Sequence, residues 1–289
     1  MILIDYSQIA ISNIAVQLAM SKGKNVLSIP MVRHMILNSI RRLVHQFRQE
    51  YSGDVILCID GPYSWRCDLF EHYKVKRREG RDDSSTDWEE VFGLINTIKE
   101  EIRENFPYKV VQLDTVEADD IIAVICKKQH RQEKIIIISG DKDFQQLQKY
   151  GNIVQYSPIQ KKYIETENPQ EFTWEHILRG DPSDSIPNYL SPDDTFVNKI
   201  KQKPIMKRKL QSWIDILMKG EDPKSFCNEY HLRNFQRNQR LIDFDYIPDK
   251  LENDIYNEYK NATAQGRSNI LPYLINNDLK ELIGRIEEF

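Results

Sequence analysis

The stretch Ile135-Ile136-Ile137-Ile138-Ser139-Gly140-Asp141-Lys142-Asp143 decides how this chain folds. Four successive β-branched residues are too short a run for a helix and suit a strand covered on both faces, as in a parallel sheet. Ser139-Gly140 ends the run, and Asp141 and Asp143 stand just past its carboxyl end. The same pattern recurs toward both termini. Ile2–Ile4 runs into Asp5 and Val55–Ile59 into Asp60, while Val110–Leu113 is followed by Glu117, Asp119 and Asp120. A fifth run is Ile153–Tyr156.

Helical patterns lie between these runs. After Pro30, the residues Val32, Met35, Ile36, Ile40, Leu43, Val44 and Phe47 recur with the helical period. Thr86 with Glu89 reads as a capping box ahead of the stripe Val91, Leu94, Ile95, Ile98 and Ile102. Further helices are expected near Glu117 and Asp143. Strands alternating with helices imply right-handed crossovers, hence an α/β fold with a mostly parallel central sheet flanked by helices. From about residue 180 proline becomes frequent (Pro182, Pro187, Pro192, Pro204) and the strand-like runs stop. Short helices are expected over 207–219, 222–238 and 278–288. Residues 1–180 therefore read as the α/β domain and 181–289 as a smaller helical domain.

Composition excludes several classes. No run of about 18 apolar residues exists, so no membrane span is expected. The chain enters its first strand at once, without a basic n-region, which argues against a signal peptide. Cys58, Cys67, Cys126 and Cys227 form no Cys-x-x-Cys pair, so neither a disulfide framework nor a zinc site is expected, and a reducing cytoplasm is the default. Among 289 residues, 44 acids against 40 Lys plus Arg give a net charge of -4, which taken alone counts against a nucleic-acid partner. The positions of the charges reverse that inference.

In an open parallel sheet ligands bind outside the carboxyl ends of the strands. Asp5, Asp60, Glu117, Asp119, Asp120, Asp141 and Asp143 all converge there, and Asp181 and Asp184 in Gly180-Asp181-Pro182-Ser183-Asp184 follow just after the sheet. One Asp at a strand end is an ordinary helix cap. A convergent, all-acidic set is not, because Ser, Thr and Asn cap equally well. No histidine or cysteine is placed among these nine carboxylates. Clustered carboxylates repel unless cations neutralise them. Hard oxygen ligands suit Mg²⁺, with Mn²⁺ as substitute, and disfavour zinc. The set is large enough for two ions about 3.5–4 Å apart, the arrangement of two-metal phosphodiester chemistry. Nine acids outweigh the whole net charge of -4, so the negative balance reports a metal site.

Five cations crowd positions 74–81: Lys74, Lys76, Arg77, Arg78 and Arg81. They fall in a connection, about 61–86, that is long for a strand-to-helix link. A basic arch beside an acidic metal site suits a phosphate backbone drawn toward the ions. Lys74, nearest the strand-end acids, is the candidate for stabilising transition-state charge. Tyr73 and Trp65 are candidates for base stacking. A second basic run, Lys199, Lys201, Lys203, Lys207, Arg208 and Lys209, is spaced to hold duplex phosphates, with Arg233, Arg237 and Arg240 adding to that surface.

These residues resemble the flap endonuclease/5′-nuclease family. The resemblance rests on Leu3-Ile4-Asp5, Leu57-Cys58-Ile59-Asp60, Tyr73-Lys74, Glu117-Ala118-Asp119-Asp120, Ser139-Gly140-Asp141-Lys142-Asp143 and Gly180-Asp181-Pro182-Ser183-Asp184, in that order. Met31-Val32-Arg33-His34, Ile36–Ile40 and Leu241–Asp249 bring it nearer to the ribonuclease H type of T-even bacteriophages. The resemblance implies a PIN-like 5′-nuclease core with 5′→3′ exonuclease and flap-endonuclease activity on RNA–DNA hybrids and duplex DNA, removing lagging-strand RNA primers. It implies Asp5, Asp60, Glu117, Asp119 and Asp141 around a first ion and Asp143, Asp181 and Asp184 serving a second, with Asp120 orienting a neighbour. Lys74 matches the family's catalytic lysine and Arg81 its arginine partner. The implied setting is a monomer in the bacterial host cytoplasm, with a single-stranded DNA-binding protein and a sliding clamp as partners. A PIN-type ribonuclease shares strand-end acids but is shorter and lacks both the basic arch and the Gly-Asp-x-x-Asp segment. A non-catalytic DNA-structure-binding protein would show gaps in the acid set.

Overall fold

The structure is a computed structural model that describes residues 1–20 and 27–289. Its centre is a six-stranded sheet in the order β3-β2-β1-β4-β5-β6, where β1 is Ile2–Asp5, β2 Val55–Ile59, β3 Lys109–Gln112, β4 Ile135–Ile138, β5 Ile153–Ser157 and β6 Lys162–Ile164. Strands β1 to β5 are parallel and β6 is an antiparallel edge. The sequence pattern anticipates the five parallel strands because each is an apolar run. It misses β6, whose three residues are mostly exposed and carry no apolar run.

Alternation sorts the strand residues between two cores. Ile2, Ile4, Leu57, Ile59, Ile136 and Ile138 face helices α1 (Tyr6–Met20), α2 (Ile29–Phe47) and α5 (Trp88–Asn105). Leu3, Ile56, Cys58, Ile135 and Ile137 face α6 (Ala118–Gln129) and the 3₁₀ turns Lys142–Tyr150. Helix α1 escapes a period-based reading because apolar residues surround it rather than line one face. In α5 the expected stripe is buried, each residue contributing about 1.5–3 kcal/mol. Its cap, however, is Asp87, which accepts the Glu90 N–H at 2.9 Å; the N–H of Thr86 instead turns back to Ser84 Oγ. Between β2 and α5 lie two short helices, α3 (Arg66–Leu69) and α4 (Val75–Asp82).

Helices α7 (Pro169–Arg179), α8 (Lys207–Met218) and α9 (Glu229–Ile242) build a third core with Phe70 and Tyr73. The helix expected over 222–238 is two pieces. Asp222 caps a 3₁₀ turn at Pro223–Ser225, and Asn228 starts α9 afresh by accepting the His231 N–H. Gly284 likewise interrupts the last segment, leaving α12 (Lys280–Ile283) and a 3₁₀ turn.

The C-terminal part is helical throughout, as expected, and its last segment also packs on the sheet. The helical cluster closes at Ile242, and the chain then returns to the sheet. Helix α10 (Asp249–Asn261) puts Ile255 and Tyr259 into the α6 core, with Phe244 and Ile247 beside them. Helix α11 (Ile270–Asn276), α12 and Phe289 cover the opposite face. No helix among the described residues is long and apolar enough to cross a membrane.

Candidate active site

Strand β1 pairs with β2 on one side and β4 on the other, so the order of connection reverses between β1 and β4. Asp5 ends β1 at this switch point, where α/β sheets open a crevice. Its carboxylate caps α1 through the Gln8 N–H (3.0 Å) and accepts Ser139 Oγ from the end of β4 (3.0 Å). Gln8 Oε1 in turn holds the Gly140 N–H at 2.6 Å. Asp60 directly follows β2 and accepts the Ala118 N–H at 2.9 Å, tying the start of α6 to the same edge. Asp141 takes the Asp143 N–H at 3.0 Å and starts the 3₁₀ turns after β4.

Burial sets the charge state of this group. Asp5 is pushed up to about 7, first by burial and then by repulsion from Asp60 and Asp141. Asp119 rises well above the carboxylate range through burial, Asp141 and Asp5. Asp143 also rises to about 7, mainly by burial, with Asp141 and Asp181 adding to it. Asp184 is raised by burial against the pull of Lys74 and Arg77. Acids that cannot ionise together in a desolvated cleft are what divalent cations relieve, so the donor set fits such ions.

Glu117 differs from its neighbours. Burial would raise it, but Lys74 and Arg66 outweigh that and hold it at about 2. Its Oε2 accepts from Ser64 Oγ (2.9 Å), Arg66 (3.0 Å) and Tyr73 OH (2.9 Å), and its Oε1 meets Lys74 Nζ. Asp120 lies behind it, fully buried. Its carboxylate is taken up by two nitrogens of Arg66, by Trp65 Nε1 (3.0 Å) and by the Glu117 N–H (3.0 Å). Asp120 therefore faces Arg66, with most of its hydrogen-bonding capacity taken by Arg66, Trp65 and the Glu117 N–H. Arg66, which the sequence reading passes over, anchors this cluster to the helical layer through Leu241 O at 2.8 Å.

Trp65 and Tyr73 do not stack bases in this arrangement. Both are buried and spend their polar atoms on Asp120 and Glu117. Lys74 sits in the left-handed region (φ 55°), a conformation that costs a non-glycine residue about 1–2 kcal/mol. The strain is held by its N–H on Asp184 O (2.8 Å), and it aims Nζ at Glu117 and, at 3.9 Å, Asp184. Burial works against its charge, but Glu117, Asp184 and Asp119 raise its pKa. Arg77 pairs with Asp184 at 2.5 Å, and Lys76 lies 3.7 Å over the ring of Phe196. Arg78 is exposed, and Arg81 lies 5.6 Å over the ring of Phe92. The first turns of the arch are thus seated on the Asp181–Ser185 loop.

The second basic run is on the surface. Lys199, Lys201, Lys203, Lys207, Arg208 and Lys209 are all exposed. Arg233 and Arg237 both pair with Asp193; Arg233 stays exposed, while Arg237 is half-buried against Pro187 O and Asn238. Arg240 is exposed. Asn188 ties the intervening loop together, donating to Lys203 O (2.8 Å) and accepting from Ser191 Oγ (2.9 Å).

The expectation that no histidine lies among the acids is overturned. His176, near the end of α7, stands between Asp143 and Asp181. Burial opposes its charge, but the two carboxylates raise its pKa. Asp181 is held well below the carboxylate range: hydrogen bonds from His176 and Ser183 and the charge of Lys142 outweigh its burial. Local sequence gives no signal for His176, which lies 33 residues beyond Asp143 on an amphipathic helix.

A parallel sheet with buried acids at its switch point, a lysine set among them and a basic arch above define a nuclease fold and site. Comparison with known proteins agrees. The model described as 5′-3′ exonuclease, N-terminal resolvase-like domain, matches residues 1–175, and the one described as T4 RNase H, C terminal, matches residues 171–289. The chain belongs to the 5′–3′ exonuclease family and is a nuclease. It is 35% identical to the ribonuclease H of Enterobacteria phage T4, over 99% of this chain and 95% of that protein. Among solved structures, a bacteriophage T5 protein co-crystallised with metal ions superposes with a TM-score of 0.62 at 17% identity, covering 89% of this chain and 98% of that one. A T5 flap endonuclease in a pseudo-enzyme–product complex with DNA and metal ions gives 0.59 at 16% identity, covering 90% and 98%. At these identities the likeness is one of fold.

Proposed function

We propose that this protein is a divalent-metal-dependent 5′→3′ exonuclease and flap endonuclease that hydrolyses phosphodiesters in duplex DNA and RNA–DNA hybrids, and that it removes RNA primers. The observation that carries this reading is the pairing of buried, mutually repelling acids at the β1/β4 crevice with a strained Lys74 directed among them. Two Mg²⁺ ions, or Mn²⁺ in their place, would supply Lewis acidity for the attacking water and charge stabilisation for the departing 3′ oxygen. Asp5, Asp60, Asp119 and Asp141 would hold one ion, with Glu117 at its margin, and Asp143 and Asp184 the other.

The chain's own residues do the rest. Ser139, Gln8 and the Ala118 N–H fix the rotamers of Asp5 and Asp60 before substrate arrives. Lys74 keeps its proton among the acids and meets the charge that develops on the scissile phosphate. Arg77, Arg78 and Arg81 line the path of the single-stranded 5′ end. Lys207, Arg208 and Lys209 occupy the first turn of α8, which carries no acidic residue and no side-chain cap. Cations there oppose the helix dipole, an arrangement that duplex phosphates would relieve.

The test is cleavage of 5′-flap, nicked and RNA–DNA hybrid substrates with Mg²⁺ or chelator, using wild type and Asp143→Asn. Short products from the 5′ side with Mg²⁺ alone are expected, with the variant inactive but still binding DNA. Near-normal turnover by Asp143→Asn would sink the site assignment.

A further inference from the structure

We propose that His176 is a direct nitrogen ligand at the second cation position, sharing the ion with Asp143 while Asp181 orients the imidazole from behind. This deepens the reading of the site as a metal nuclease and rests on it.

The imidazole is 6% exposed and has different surroundings on its two nitrogens. Nε2 lies 3.1 Å from Asp181 Oδ2 and is hydrogen-bonded to it. Nδ1 lies 3.3 Å from Asp143 Oδ1 without hydrogen-bond alignment, and both atoms are buried with no hydrogen-bond partner. The two ligand atoms converge on one point, held toward each other by charge but by no aligned hydrogen bond. At ligand distances of about 2.1 Å, atoms 3.3 Å apart subtend about 100° at a shared ion, between octahedral and tetrahedral geometry.

Asp181 is spent elsewhere. Its Oδ1 accepts from the Ser183 N–H (2.7 Å) and Ser183 Oγ (2.6 Å), and its Oδ2 faces His176 and Lys142 Nζ (3.1 Å). Its role toward the ion is therefore to accept the Nε2–H and leave the ring's lone pair on Nδ1, the carboxylate–histidine–metal arrangement. The all-oxygen set that the sequence implies becomes a mixed one at this position. An imidazole nitrogen shifts preference from Mg²⁺ toward Mn²⁺, Co²⁺ and Zn²⁺, so the two ion positions should differ in selectivity.

Mn²⁺ binding to the full chain, followed by pulsed electron paramagnetic resonance, tests this without relying on turnover. The expected result is two bound Mn²⁺, one with the hyperfine coupling of a directly coordinated ¹⁴N that changes to the ¹⁵N pattern in histidine-labelled protein. His176→Phe should abolish the coupling and weaken one Mn²⁺ at least tenfold, leaving the other unchanged. Asp181→Asn should weaken the same ion by about 10–100-fold. Labelled wild type needs no variant to fold, so the coupling itself remains decisive. Two bound Mn²⁺ with no nitrogen coupling, or coupling that survives in His176→Phe, would overturn the proposal and make His176 an ion-pair spacer between two acids. Failure to bind Mn²⁺ at all would overturn both the proposal and the metal-nuclease reading.

Discussion

Replacing Arg66 with Met should cost this protein about 3 kcal/mol of stability. The guanidinium makes four hydrogen bonds to buried acceptors: Leu241 O at 2.8 Å, Glu117 Oε2 at 3.0 Å, Asp120 Oδ2 at 3.0 Å and Asp120 Oδ1 at 2.7 Å. Removing one partner of a buried ion pair typically costs about 3–5 kcal/mol, because the remaining charge is stranded. The structure argues for the low end. Glu117 would still have Ser64, Tyr73 and Lys74, and Asp120 would keep Trp65 Nε1 and the Glu117 N–H. The unpaired Leu241 carbonyl adds about 1 kcal/mol, and the packed Met side chain returns a similar amount. Urea unfolding followed by circular dichroism reads the change as a lower midpoint with an unaltered slope. Arg66→Lys should recover less than half, since an ammonium cannot fork across two carboxylates. In a double-mutant cycle with Asp120→Asn the coupling should be about 2 kcal/mol. A loss below about 1 kcal/mol in Arg66→Met would refute the claim that this residue neutralises the acids behind the cleft.

Lys74→Ala is expected to lower kcat by about 10²–10³-fold while substrate Kd changes less than threefold; single-turnover kinetics separate the two. The metal-free protein should lose stability as pH rises from 5 to 8. Asp5 and Asp143, at about 7 when folded against 3.8 unfolded, contribute stability that is complete below 3.8 and lost as pH climbs through 7. Thermal melts in chelator should show a falling Tm over that range, and saturating Mg²⁺ should flatten it; a flat profile in chelator contradicts the burial of unpaired acids. Phe289→Ala should cost about 3–5 kcal/mol, because this terminal ring is fully buried 5.2 Å from Phe106. A loss under 1 kcal/mol in urea would mean the C-terminus does not pack on the sheet.

Much of the molecule is legible because its signals are local. Each parallel strand is a short apolar run, and residue parity alone assigns Ile2 and Ile4 to one core and Leu3 to the other. The acids at the carboxyl ends follow from the strands, since all parallel strands end on the same edge. The arch cations are equally plain. Helix boundaries were less so: Asp87 rather than Thr86 caps α5, because either residue type serves and backbone geometry chooses.

The sequence by itself determined the sheet, its acidic edge and the basic segments, since these depend on periods of two and 3.6 residues and on strand direction. Only the tertiary structure decided which polar groups meet. Asp119 and Asp120 are adjacent, yet one enters the repelling acid cluster and the other is sealed behind it by Arg66. Arg233 and Arg237 look alike in the chain and both pair with Asp193, yet Arg233 stays exposed while Arg237 is drawn inward. His176 reaches Asp143, and Phe289 returns to a sheet that begins at residue 2. These partners lie far apart along the chain. Their pairing is set by the desolvation cost of leaving a buried polar group or charge unmatched, and that cost is not written in any local period.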